Sequence, residues 1–448
     1  MLLFKFNHII KLKNLAYLFI FIILEFLSFS KFQVFAQERQ PILLKNADSL
    51  LGITFDNAQV RNFIGHVMFV QGNIVLTCDT AIQYINENRV ELIGKVQINQ
   101  NYTTIKSPKI NYTGNNKIAV AQDSIEIQDT ANILRAKTGE YNFETKIAHF
   151  KKNVSIENDS VQIYSDELIN NTESNESFST GFVRVFGKKN RTATVCDTLI
   201  YKPNQSFLLA YGNAGFFYID SVKQNKDTTL HETLTDLSDV RFDTLSVFSN
   251  TIFGNQVKGQ EFYQFLDSVE IVRGTMSARC KRADYFKTGD SILLTGAPIV
   301  WFDNMQLTGD TIFVLFPYQT IQKVKLLGNA FALSFNDSLG VDKINQISGK
   351  YIDIFFEKDS VKSILSKIEA SSVYFIKSDD GESGVQRSGA DSISISFEQG
   401  NVSNISWKSA AFIDYYPEKI VTNPKEFYLP KFNKRDDKPK KRIFPSKQ

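Results

Sequence analysis

The sequence is poor in the residues that disulfide frameworks and metal sites require. Its 448 residues include only 3 Cys, 4 His, 4 Met and 2 Trp. Cys78, Cys196 and Cys280 are odd in number and far apart, which excludes a disulfide framework and favours small, buried apolar side chains. No two histidines form an H-x-H or H-x3-H pair. We therefore expect neither a metal ion nor a cofactor.

Catalytic motifs are missing as well. The sequence has no G-x-S-x-G, no G-x4-G-K-[ST] and no G-x-G-x-x-G segment, the signatures of serine hydrolases, P-loop NTPases and dinucleotide-binding folds. Asp79, Asp166 and Asp197 recur at equivalent places in the chain, where aspartates cap turns through backbone N–H groups. Because catalytic carboxylates would be singular rather than periodic, we predict structural corners and no enzyme activity.

The bulk composition is that of a globular protein with a bias toward strands. Hydrophobic residues make up 43% and charged residues 22%, which excludes a mostly disordered chain and a polytopic membrane protein. The 38 Phe and 17 Tyr favour strands. The net charge of +3 is concentrated at the two ends, so the body is mildly acidic and nucleic acid is not an expected partner.

The two ends of the chain differ from the body. Lysines precede an apolar run over residues 15–29, and Ala36 ends a short stretch of cleavage-site type. This predicts a secretory signal peptide over residues 1–36, cut after Ala36. An uncleaved anchor helix is the alternative, which Glu25 disfavours by interrupting a run already short for a bilayer. Residues 418–448 are rich in lysine and predict a basic, disordered tail, with an anionic membrane surface or an acidic partner as the alternative.

Internal periodicity is the dominant feature. A pattern of about 29 residues restarts at Gly65, Gly94, Asp123, Asn153 and Gly181. A fixed period in the range of roughly 20–50 residues indicates a repeat architecture. Within each copy apolar and polar residues alternate, as in strands with one buried face. The polar segment at about 223–256 predicts a degenerate copy that carries a loop.

The copy from Val67 to Ile98 carries the most specific pattern, with a V-x-F-x-Q-G segment, then Cys78-Asp79, then E-x-x-G-x-V-x-I. It resembles the OstA-like domain of periplasmic lipopolysaccharide-transport proteins of the LptA type, which is related to the N-terminal domain of the translocon LptD. The resemblance extends over about residues 45–417. It implies an all-β fold over residues 37–417: an elongated antiparallel β-jellyroll, or taco, of two facing sheets.

The resemblance also implies a function. Such a protein would lie in the periplasm, associated with the outer membrane, and would conduct lipopolysaccharide through an apolar groove that holds the acyl chains of lipid A. Open edge strands near residues 50–70 and 405–415 would dock with other transport subunits or with a second copy. The expected groove residues are Val67, Phe69, Ile74, Leu76, Val96, Ile98, Ile125, Ile127, Val154 and Ile156.

Two other functions remain compatible with a repetitive β-fold. One is an extracellular β-solenoid that binds or acts on polysaccharide, which the lack of a singular acidic or basic cluster disfavours. The other is a surface adhesin, which the lack of a sorting domain after the repeats disfavours.

Overall fold

The structure is a computed structural model that describes residues 40–442, apart from residues 56–57, 189–191, 219–244, 256, 258, 318–319, 337–338, 359 and 378–382. The predicted signal peptide and its cleavage site lie outside the described residues, as does most of the predicted loop segment. The end of that segment is not a loop, because Leu245–Asn255 forms a regular strand. Its Val247 and Ile252 are buried in the core.

The described residues form 28 β-strands and a few short 3-10 turns. None of their helices is long and apolar enough to cross a membrane. In chain order the strands are β1 Leu43–Asn46, β2 Ser49–Phe55, β3 Ala58–Gln71, β4 Ile74–Tyr84, β5 Arg89–Gln100, β6 Thr103–Thr113, β7 Ile118–Ala121, β8 Ile125–Gln128, β9 Ile133–Ala136, β10 Thr138–Asn142, β11 Ile147–Glu157, β12 Val161–Asn171, β13 Glu176–Gly187, β14 Thr192–Lys202, β15 Phe207–Tyr218, β16 Leu245–Asn255, β17 Phe262–Arg273, β18 Met276–Phe286, β19 Ser291–Thr295, β20 Ile299–Phe302, β21 Met305–Thr308, β22 Thr311–Leu315, β23 Lys323–Ser334, β24 Asn345–Glu357, β25 Ser360–Ile376, β26 Gly384–Glu398, β27 Asn401–Lys408 and β28 Phe412–Pro417.

All these strands belong to one antiparallel sheet, which is folded lengthwise into two facing walls. The first wall contains β2, β7, β10, β19, β22 and β27, and the second wall contains β1, β8, β9, β20, β21 and β28. Each longer strand has a register shift near its middle and contributes one half to each wall. Phe63 of the first wall meets Phe69 of the second edge to face at 5.3 Å, so the two halves of a strand face each other.

The long strands bend from one wall into the other at corners, where two successive residues adopt positive φ. Gly94 (φ 79°) and Lys95 (φ 42°) form one such corner, a β-bulge that sharply bends the strand. The predicted corner aspartates lie here, each on the strand next to such a bulge. The side chain of Asp79 packs so closely on Gly94 that an added Cβ would lie 2.6 Å from its Oδ2 atom. Asp166 and Asp197 pack on Gly181 and Gly212 in the same way.

Because Gly94 combines a positive φ with this close approach, we expect Gly94→Ala to lower the free energy of unfolding by about 3 kcal/mol. Gly274 has a positive φ but open space around it, so Gly274→Ala should cost only about 1 kcal/mol. Gly52 has open space and no positive φ, and Gly52→Ala should stay within about 0.5 kcal/mol. Chemical denaturation of the three variants checks the order; an equal effect at Gly94 and Gly274 would rule out the packing of Asp79 as a cause.

The core is one continuous apolar layer between the walls. It is contributed by alternate residues of every rung, by which we mean each successive strand segment along a wall. This confirms the prediction of an all-β, elongated antiparallel jellyroll. In the described part of the chain each wall has about 22 successive strand segments, and at about 4.8 Å per strand the long axis measures about 100 Å.

The C-terminal segment differs from the prediction of a disordered tail. Residues 418–442, here called the strap, turn back after β28 and cross the outer face of the second wall. Leu429 is buried there beside Phe331 and Phe375. Trp301 and Gln306 donate hydrogen bonds to backbone carbonyls of the strap. The strap therefore packs on the sheet. Because its anchoring residues are single and irregularly spaced, its sequence still has the composition of a solvated tail.

Candidate functional site

The structure places all ten predicted groove residues on the second wall, with their side chains directed between the walls. Each is at most 4% exposed and belongs to the continuous core. Their side chains alternate with outward-facing neighbours such as Met68, which is 37% exposed. The strand register deduced from the sequence is therefore that of the structure. Whether these residues contact a lipid stays a prediction.

Cross-strand pairing places five of these ten residues in a row that runs along the second wall. Phe69 lies opposite Leu76, Leu76 opposite Ile98, and Ile98 opposite Ile105. Pairing of this kind continues strand by strand toward the C-terminal end. We call it the apolar row; its members are Phe69, Leu76, Ile98, Ile105, Ile127, Leu134, Ile156, Ile163, Val185, Thr194, Phe216, Val247, Ile271, Ala278, Val300, Leu307, Ala332 and Ile347.

The first wall faces this row with its own buried side chains, which the sequence analysis did not single out. The largest of them are aromatic, among them Phe63, Tyr112, Tyr141, Phe150 and Phe265. Phe265 contacts Phe216 of the row at 5.8 Å between ring centroids. These residues could have been found from the alternation of apolar and polar residues in the other half of each repeat. That alternation does not indicate that the two halves face each other.

Hydrogen bonds across the long open side of the taco hold the two walls together. We call this side the mouth, because hairpin turns of both walls meet there. Gln71 of the second wall donates to the carbonyl of Gly114 at 2.9 Å and accepts from the Tyr112 hydroxyl at 2.5 Å. Burial raises the pKa of the Tyr112 phenol above its usual range, so this hydroxyl stays protonated and donates.

We call the hydrogen bonds across the mouth the seam. Two more contacts extend it along the mouth. Asn132 of the second wall donates to Asn175 of the first at 2.9 Å. The ammonium of Lys146 donates to Gln100 across the mouth, and burial lowers the pKa of that ammonium. The groups that bridge the mouth are amides, a phenol hydroxyl and an ammonium, all of which can form hydrogen bonds to water when the seam opens.

The interior opens at its C-terminal end into a cavity of about 160 Å³ that both walls line. Ala332, Ile347 and Ser372 contribute from the second wall, while Phe397 and Ile405 contribute from the first. The cavity lies at the end of the apolar row, where Ile347 is followed across the strands by Ser372 and Ser388. Its lining is mixed, since Asn345, Gln346 and Ser372 line it beside the apolar side chains.

Reactive groups are not assembled in this interior. Burial raises the pKa of Cys78 to about 11 and of Cys196 and Cys280 to about 12, so the thiols are protonated and behave as small apolar side chains. Among the described residues, no three His, Cys, Asp or Glu side chains lie close enough together to hold a metal ion.

Family comparisons fit this geometry. Residues 39–194 match the model of the OstA-like protein family. Residues 133–319 match the model described as LptA/(LptD N-terminal domain) LPS transport protein. The chain is thus similar to OstA-like and LptA-type proteins over residues 39–319, which the two overlapping matches together span. These residues hold most of the apolar row and the seam.

A solved structure is also similar to part of this chain. It is that of LptH, described as the LptA homologous periplasmic component of the conserved lipopolysaccharide transport device from Pseudomonas aeruginosa. The identity is 17%, with 32% of this chain and 83% of LptH covered and a TM-score of 0.17. The comparison with curated proteins returned no match.

Proposed function

We propose that this protein is a periplasmic component of lipopolysaccharide transport that holds the acyl chains of lipid A between its two walls and carries the lipid toward the outer membrane. The observation that supports this most is the apolar row, which continues from rung to rung over most of the second wall. The matches to the OstA-like model and to the LPS transport model support the same function.

The energetics of such a row suit transport better than trapping. Each acyl methylene that leaves water for an apolar wall contributes about 0.8 kcal/mol. Because consecutive rungs are about 4.8 Å apart and nearly all present a buried apolar side chain, an acyl chain can pass from one rung to the next without returning to water. The lipid is held firmly and can still move along the row.

Acyl chains need room that the closed walls do not have, so loading requires the walls to separate at the mouth. The hydrogen bonds of the seam then exchange for bonds to water, at a net cost of about 1 kcal/mol each. The corner bulges on the opposite side act as the hinge, since their positive-φ residues already interrupt the strand register there. Sugars and phosphates of the lipid stay in water at the mouth.

Both ends of the sheet are suited to docking with other transport subunits or a second copy. At the N-terminal edge Leu43, Leu50 and Leu51 are 51–59% exposed, and at the C-terminal edge Ile413 and Tyr415 are 51% and 47% exposed. Edge strands also present unpaired backbone groups that attract another strand. We propose that such docking extends the apolar row beyond the length of about 100 Å that this protein has by itself.

The test compares two ligands that differ only in their acyl chains. The full mature chain is titrated with lipopolysaccharide and with the same material after chemical deacylation. We expect binding of the intact lipid and at least a hundredfold weaker binding of the deacylated one, because the acyl chains supply the contacts. Equal binding of both would contradict the proposal and favour a polysaccharide-binding β-solenoid.

A further inference from the structure

The strap encloses a second cavity, which lies outside the two walls. This cavity measures about 430 Å³ and lies between the strap and the outer face of the second wall. Trp301, Met305 and Phe335 form its apolar side. Four basic side chains line it as well, together with the carboxylates of Asp303 and Asp436, which gives the lining a net positive charge. The basic residues are Lys343, Lys434, Arg435 and Lys438.

Two of these cations are already neutralised and two are not. Lys343 pairs with Glu418, and Arg435 pairs with Asp437 at 2.5 Å. Lys434 lies 5.4 Å from the centre of the Phe335 ring, and the Lys438 ammonium donates to the carbonyl of Thr275 at 3.3 Å. Neither lysine forms an ion pair with any described residue. Lysine is a point charge that binds phosphate groups readily.

The position of this cavity relates it to the interior of the taco. Met305 and Asn336 line both this outer cavity and the interior cavity at the C-terminal end. The β20–β21 turn is thus a rim with the interior cavity on one side and a basic cavity on the other. An amphiphile that straddles this rim would bury acyl chains inside and set an anionic headgroup against Lys434 and Lys438.

The strap also lies outside the part of the chain that the family models match, which ends at residue 319. We propose that Lys434 and Lys438 form a binding site for the phosphate groups of lipid A, at the point where the acyl chains reach the C-terminal end of the interior. This inference rests on the proposed function and adds to it a headgroup site that the strap builds.

The experiment measures the affinity of the full mature chain for purified bisphosphorylated lipid A and for the same lipid A after enzymatic dephosphorylation. The test variant is Lys434→Gln/Lys438→Gln. The matched control is Lys419→Gln/Lys440→Gln, which removes the same charge from exposed strap lysines that do not line the cavity. We expect the test variant to bind phosphorylated lipid A about tenfold more weakly and dephosphorylated lipid A unchanged, with no effect of the control variant.

Three results would overturn the headgroup site while leaving the proposed function intact. They are an unchanged affinity of the test variant, an equal loss with both lipids, and an equal loss in the control variant. Binding of inorganic phosphate alone that the test variant abolishes would also overturn it, because the site would then be one for a free anion. A wild-type chain that binds neither lipid would instead refute the proposed function. Circular dichroism melts confirm that both variants are folded.

Discussion

Placing a carboxylate in the apolar row should both destabilise the protein and abolish lipid binding. Ile98 is fully buried and lies between Leu76 and Ile105 on adjacent strands. We expect Ile98→Asp to lower the free energy of unfolding by about 4 kcal/mol at pH 7, because an unpaired charge is left in the core. Such a loss is a large fraction of the stability of a typical domain.

The effect should depend on pH in a defined direction. Burial raises the pKa of the introduced carboxyl in the folded state above its unfolded value. The penalty is therefore largest at neutral pH and falls as the pH falls toward the unfolded value of about 4. Ile98→Asn should show a penalty without this dependence.

The control for this prediction is the adjacent outward-facing residue. Gln97→Asp should change the free energy of unfolding by no more than about 0.5 kcal/mol and leave lipid binding intact. Denaturant titrations at several pH values measure all three variants. Similar losses at positions 97 and 98 would show that the inward and outward faces of β5 have been misassigned.

Locking the mouth should prevent acyl chains from inserting between the walls nearby. Asn132 and Asn175 hydrogen-bond across the mouth, so Asn132→Cys/Asn175→Cys can be joined by a cleavable bismaleimide. We expect the lock to lower crosslinking of lipopolysaccharide from a photoreactive residue at Phe150 at least tenfold, because the walls cannot separate there. Crosslinking from Phe265, farther along the first wall, should persist, and reduction of the linker should restore the signal at Phe150.

The matched control joins two residues of the same wall. Asn158 donates to Asn132 at 3.1 Å, and both lie at turns of the second wall, so Asn132→Cys/Asn158→Cys with the same linker leaves the mouth free. The native cysteines can remain, since they are buried and protonated. An equal loss of signal with this same-wall lock would show that wall separation is not needed for loading.

The sequence predicted the inward face of the second wall well and other features less so. Val67, Phe69 and Ile98 could be placed because strict alternation leaves a strand only two possible orientations. The corners at Asp79, Asp166 and Asp197 could be recognised because they recur.

Features that depend on long-range contact were not predictable in this way. The seam joins residues about 40 positions apart, such as Gln71 and Gly114, and its amides look like ordinary turn residues. The strap is held by single anchors such as Leu429, while lysines dominate its composition. Alternation identifies which side of a strand is apolar, and it carries no information about which wall will cover that side.

The most direct test of acyl chains between the walls uses two adjacent phenylalanines of β15. Phe216 belongs to the apolar row, whereas Phe217 packs in a separate cluster on the outer face. Each is replaced in turn by the photoreactive analogue benzoylphenylalanine, and the full mature chain is irradiated with lipopolysaccharide. The account predicts lipid adducts from position 216 and none from position 217. Adducts from 217 alone, or equal adducts from both while lipid is bound, would contradict it.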